Sequence, residues 1–178
     1  GASGYLGSHI ARQLVAAGKP VRALVRSRAW AEAEERLAGL NIEHVGGDVT
    51  KPETLSAAVK GATAVIHTVA IAIEREGRRY EDIIYRGTVN IVDAAKAASV
   101  RRFVNISQLG ADSRLPYRFL ASKGKAQEYV ATSGLDWTAF RPSVMWGPED
   151  EFANSFARLV PLSPLIFPDI TNCGCIPS

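Results

Sequence analysis

Apolar residues along the chain switch repeatedly between two spacings. Leu6, Ile10 and Leu14 recur every fourth residue, which predicts a helix from Tyr5 to Ala17 with Gly18 as its stop. Pro20 to Val25 then reads as a short strand, Ala29 to Ala38 as a charged helix ended by Gly39, and Ile42 to Val45 as a second strand. Pro52 to Lys60 predicts a helix, with Thr50-Lys51-Pro52-Glu53 as its capping box. Ala64 to Ala70 is nearly unbroken apolar sequence, as expected of a parallel strand buried on both faces. Tyr80 to Ala98 predicts a long helix with Tyr80, Ile84, Gly87, Ile91 and Ala95 on one face. Arg102 to Ile106 predicts a strand, Leu115 to Ala131 a helix, Trp137 to Arg141 a strand, and Phe152 to Val160 a helix. From Pro161 onward the periodicity fails. Short apolar runs alternating with longer helices, and no internal repeat, give the βαβ rhythm of an α/β fold with a doubly wound parallel sheet.

Composition narrows the classes. The 178 residues suit one domain with a sizeable core, and 47% hydrophobic with 22% charged residues fits a globular protein. A net charge of +3, with basic residues scattered and no aromatic platforms between them, argues against nucleic acid as a partner. No apolar run is long enough to span a bilayer. Cys173 and Cys175 are the only cysteines; a C-x-C pair supplies too few ligands for a closed zinc site, so no metal is expected, and a reducing compartment follows.

The chemistry concentrates in the opening turn. Gly1-Ala2-Ser3-Gly4-Tyr5-Leu6-Gly7 reads G-x-x-G-x-x-G and runs straight into the first helix. Such a turn brings backbone N–H groups and the positive end of the helix dipole to a pyrophosphate. Gly1 is expected to allow a tight turn, Gly4 to clear the phosphate, and Gly7 to let helix and sheet pack closely. Gly1, Ser3, Gly4, Tyr5, Leu6 and Gly7 are therefore candidate dinucleotide ligands. In this architecture a buried strand precedes the turn, so the chain reads as a fragment that begins late, with its first strand missing. At the end of the first predicted strand stands Arg26 rather than an acid. That favours NADP(H) over NAD(H), because arginine suits a 2′-phosphate, although a solvated charge at a strand end would look the same. Asp48 and Val49, after the next strand, are placed to meet the adenine, with Thr50 capping. Thr68, Val69 and Ala70 should lie beside the nicotinamide ribose. His67, inside its strand, reads as a packed neutral histidine.

Six stretches in order now carry a resemblance: Gly1 to Gly7, Gly47 to Thr50, Gly87 to Asn90, Phe103 to Ser107, Ser122-Lys123, and Arg141 to Pro148. Together they resemble the extended and atypical short-chain dehydrogenase/reductase superfamily over roughly residues 1 to 160. The chain looks most like the atypical group that contains the nucleotide-binding accessory subunit of respiratory complex I; NmrA-like proteins and nucleoside-diphosphate-sugar epimerases come next. The resemblance implies a Rossmann domain over 1–160, and a substrate region, cut short here, whose start is the unassigned 161–178. It implies Lys123 as the residue that holds the nicotinamide ribose, Ser107 as the hydroxyl partner with Gln108 as its rival, and Pro142, Ser143 and Val144 on the nicotinamide side. The family's proton-transferring Tyr stands four residues before that Lys, where this chain has Phe119; Tyr117 is the nearest phenol. A dinucleotide held in a structural or sensing role is the expectation, with an active reductase or epimerase and a scaffold with a vestigial cleft as alternatives. A protein-complex partner and a cytoplasmic or membrane-peripheral place on the cytoplasmic or matrix side are implied as well.

Overall fold

The structure is a computed structural model and describes residues 1–26, 35–75 and 77–147. The chain divides into two compact units, residues 1–143 and residues 144–178; of the second, only 144–147 are described. Within the first unit the order is α1 (Tyr5–Ala16), β1 (Arg22–Val25), β2 (Glu43–Gly46), a 3₁₀ turn (Pro52–Thr54), α2 (Ser56–Val59), β3 (Ala64–His67), a π-helical segment (Glu81–Arg86) leading directly into α3 (Gly87–Ala97), β4 (Arg102–Ile106), α4 (Arg118–Ala131) and β5 (Asp136–Phe140).

Among the described residues every pairing between the named strands is parallel. β1 pairs with β2, and β3, β4 and β5 form a second sheet in that order. Parallel neighbours need a crossover, and helices supply it between β3 and β4 and between β4 and β5. The chain steps outward from β1 to β2, then crosses to β3 in the other sheet.

Helices lie on both faces of β1. Its Ala23 and Val25 join Ala11 of α1 and Leu37 in one apolar cluster. Leu24, pointing the other way, packs on the larger cluster of Leu55, Val59, Ile91, Val92, Ala95, Val100, Phe103 and Val130. Alternation along a strand is what sends successive side chains to opposite cores. Phe103, with no exposed surface, sits at the centre of the larger one.

Three expectations need correction. The strand from Ala64 ends at His67, and among the described residues it is not covered on both faces: Ala64 is exposed and Ile66 is 37% exposed, while Val65 and His67 face the core side. The capping box at Thr50 does not form. Thr50 turns its hydroxyl onto Asp48 Oδ1 at 2.9 Å, and Pro52 opens a 3₁₀ turn capped by no side chain, so only Ser56–Val59 is α-helical. The long helix begins as a π-helix, whose wider turn changes the register before Gly87. The predicted helix over Phe152 to Val160 and most of the one over Ala29 to Ala38 lie outside the described residues.

Candidate functional site

The glycine turn closes tightly on itself and on the end of β3. Gly4 N–H donates to the Gly1 carbonyl at 3.1 Å, and Ser8 N–H to the Gly4 carbonyl at 2.9 Å. A Cβ on Gly1 would strike Thr68 Oγ1 and stand 2.9 Å from the Val69 nitrogen. A Cβ on Gly7 would overlap the Gly1 carbonyl oxygen and come within 2.9 Å of Ala2 Cα. Gly7 therefore lets the turn fold back on the helix; the close helix–sheet packing expected of it is not what the position demands. Gly4, the N-cap residue, differs: a Cβ there would meet only the Gly1 oxygen, at 3.3 Å. Its outer side is open. No side chain caps α1 and its first turn holds no acid, so its leading N–H groups and positive dipole end face outward unopposed. Ser3, Tyr5 and Leu6 stand half-buried around them.

The ends of β1 and β2 reach the same place. The side chains of Arg26 and Asp48 both lie within electrostatic reach of Gly1, so both stand near the turn. Asp48 Oδ1 accepts the Thr50 N–H and hydroxyl, each at 2.9 Å, which shapes the loop after β2. Val49 is buried; its carbonyl accepts Asn90 Nδ2 at 2.8 Å, and its Cγ2 lies where a Cβ on Gly87 would come to 2.8 Å, so its side chain is engaged with α3. Thr68 and Val69 are half-buried and Ala70 is exposed.

Across β3 stands the second group. Lys123, in the middle of α4, is 5% exposed and donates to the Ile106 carbonyl at 2.8 Å. Burial lowers its pKa to about 8, which leaves it mostly cationic at neutral pH. Ser107 follows directly. Its hydroxyl is buried, 1% exposed as a residue, and has no hydrogen-bond partner. Backbone bonds from Ser107 N–H to Phe140 and from Leu109 N–H to Pro142 bring Pro142 alongside. Ser143 is exposed, and Val144 belongs to the second unit.

Neither aromatic candidate supplies a phenol beside Lys123. Phe119, one helical turn before it, turns its ring edge-on to Tyr80 with centroids 5.4 Å apart. Tyr117 is the N-cap residue of α4, extended in backbone and 66% exposed. His67 lies between the two groups. Burial is the main cause that lowers its pKa to about 3, and the charge of Lys123 acts in the same direction. Thr88 Oγ1 donates to the Ile84 carbonyl at 2.6 Å, so at 3.1 Å it is the acceptor for His67 Nε2–H. His67 is thus a neutral, packed histidine.

Sequence reasoning missed the clamp behind Phe119. Glu74 accepts the Tyr80 N–H at 2.8 Å and pairs with Arg118 at 2.8 Å, and the Tyr80 hydroxyl donates to the Ala72 carbonyl at 2.8 Å. The residues of the Glu74–Arg118 pair are 44 apart in the chain, and no local spacing marks them.

An open helix N-terminus, a turn whose close fold needs glycine at positions 1 and 7 while Gly4 stays open on its outer side, and an orphaned buried hydroxyl fit a dinucleotide lying across the carboxyl ends of the strands. A family model described as NAD(P)H-binding matches residues 1–154. The chain belongs to this NAD(P)H-binding family. Its relatives are consistent with the atypical short-chain dehydrogenase/reductase superfamily. The chain is 31% identical over 171 residues to sterol demethylase protein B of Methylococcus capsulatus, covering 84% of this chain and 51% of that protein. It is 29% identical over 160 residues to the mitochondrial NADH dehydrogenase [ubiquinone] 1 alpha subcomplex subunit 9 of Rattus norvegicus, covering 89% and 42%. In fold it is similar to the Bordetella bronchiseptica enzyme WbmH, crystallised with NAD+, at a TM-score of 0.75 and 24% identity, over 92% of this chain and 61% of that one. The chain spans about half the length of the curated relatives it matches. No helix among the described residues is long and apolar enough to cross a membrane.

Proposed function

We propose that this domain binds NADP(H) in preference to NAD(H) and holds it chiefly in a structural or sensing role. The observation that carries the reading is Phe119. Lys123 is buried and cationic as a ribose-binding lysine would be, yet the side chain one turn away has no proton to give and faces Tyr80. When bound, the cofactor supplies a hydride donor or acceptor. This chain's own residues would seat its diphosphate on the turn from Gly1 to Gly7, set Arg26 at the adenosine ribose, and hold the second ribose with Lys123. Asp48 and the backbone of Val49 would flank the adenine, and Thr68, Val69, Ala70, Pro142 and Ser143 the nicotinamide. Likeness to a subunit of respiratory complex I supports a protein-complex partner and a cytoplasmic or matrix-side location.

Titration of the protein with NADPH and NADH, followed by its melting temperature, tests this. A ligand that binds only the folded state stabilises it by about 2.7 kcal/mol at one hundred times its dissociation constant. NADPH should raise the melting temperature more than NADH at equal concentration, and Arg26→Ala should equalise them. No rise with either cofactor ends the proposal and leaves the vestigial scaffold.

One observation favours a second reading, an active reductase or epimerase. The unpartnered Ser107 hydroxyl sits at the strand end beside the carbonyl that Lys123 binds, where it could donate to a substrate carbonyl. Cofactor turnover with a carbonyl substrate that disappears in Ser107→Ala would establish it.

A further inference from the structure

Arg78 stands apart from the cleft residues named so far. Its Nε is buried and has no hydrogen-bond partner. Natural proteins satisfy nearly all such groups, because an unpaired buried N–H forfeits its hydration, and a charged one forfeits more. The segment that carries Arg78 is not slack. The chain turns at Gly77 with φ of +74°, and Arg75 and Arg78 form an antiparallel bridge in which Arg78 N–H donates to the Arg75 carbonyl at 2.8 Å. The Glu74 contacts to Tyr80 and Arg118 then fix the hairpin against the first turn of α4. That arrangement also commits the charge of Glu74 to Arg118. Among the described residues no carboxylate pairs with Arg78.

The hairpin leaves the sheet just beyond Thr68 to Ala70 and ends at Tyr80, whose ring meets Phe119, one turn before Lys123. It therefore borders the Lys123 end of the cleft. A guanidinium at such a border, short of a partner, matches a carboxylate or phosphate, whose oxygens accept its N–H groups in pairs. We propose that Arg78 anchors an oxyanion of the molecule that enters beside the cofactor. The inference rests on the cofactor reading for what lies next to it.

The experiment uses the whole chain saturated with NADPH, so that the glycine turn is filled. It is melted against rising inorganic phosphate and, separately, rising succinate, with ionic strength held constant by sodium chloride. A saturable rise in melting temperature is expected with at least one; the phosphate series alone identifies a phosphate group, the succinate series alone a carboxylate. Arg78→Met should weaken the apparent affinity about tenfold or more, and Arg78→Lys, which keeps the charge but not the fork, should retain part of it. With no added anion Arg78→Met should melt at or above the wild type, since an unpaired buried N–H has gone. A marked drop there would make Arg78 a structural residue and overturn the proposal. So would the absence of any saturable response, or a response that Arg78→Met and Arg78→Lys leave unchanged. NADPH binding without an anion response defeats this inference alone. An Arg78-dependent anion response in a protein that ignores NADPH upholds it and defeats the cofactor reading.

Discussion

Gly7 shows how much one missing methyl can decide. Its Cα faces the Gly1 carbonyl so closely that a Cβ would overlap the oxygen and stand 2.8 Å from the Gly1 carbonyl carbon. Both neighbours are backbone, so nothing can swing aside. Gly7→Ala must therefore open the turn. The cost expected of such overpacking is about 1–3 kcal/mol, and the N–H groups at the head of α1 would lose their common aim. Urea unfolding should show that loss, and NADPH should no longer raise the melting temperature. Full retention of the NADPH response in Gly7→Ala would show that the turn is not the seat of the diphosphate. At this scale the G-x-x-G-x-x-G spacing was informative, because glycine is selected by local backbone approach. Its reason was not: the spacing does not reveal that Gly7 meets Gly1 and Ala2 rather than a strand.

Helix α3 and the π-helical segment before it are tied to the sheet by a polar link. Thr88 joins His67 in β3 to the Ile84 carbonyl, an acceptor inside the widened turn. Thr88→Val keeps the shape and removes the link. The His67 Nε2–H is then left buried and unpaired, at an expected loss of about 1–3 kcal/mol. Thr88→Ser keeps the hydroxyl and should recover most of that stability; equal losses in the two variants would mean that the methyl, not the hydroxyl, matters. The apolar periodicity over Tyr80 to Ala98 predicted a helix here and the buried positions Ile84, Gly87, Ile91 and Ala95 bear it out. The π register was not legible, since it depends on what the helix meets across space. The capping-box pattern at Thr50 failed for a related reason. Asp48 Oδ1 takes both the Thr50 N–H and its hydroxyl, the Thr50 oxygen receives no helix N–H, and a 3₁₀ turn stands at Pro52.

At the scale of the whole molecule, two buried groups among the described residues make stability depend on pH. His67 has its pKa lowered from 6.5 to about 3, and Lys123 from 10.5 to about 8, chiefly by burial. In each interval the unfolded chain holds a proton that the folded one does not, so stability rises with pH there, at about 1.4 kcal/mol per unit for each group. The urea midpoint should therefore fall as pH drops below 6.5, and His67→Gln should flatten that fall. Identical slopes in the two proteins would show that His67 is not buried neutral. What the amino-acid order determined by itself was the run of strands and helices, the glycine turn, the missing phenol before Lys123, and the parallel fold that these imply. All of these are local: period, turn chemistry and residue identity act within a few positions of one another. Only the tertiary structure decided that Ser107 carries an unanswered hydroxyl, that Glu74 is committed to Arg118, that the Val49 side chain packs on α3, and that the Arg78 Nε is buried without a partner. Each is settled by which distant groups reach the same point in space, and hydrogen-bond satisfaction is a property of that meeting rather than of either residue alone.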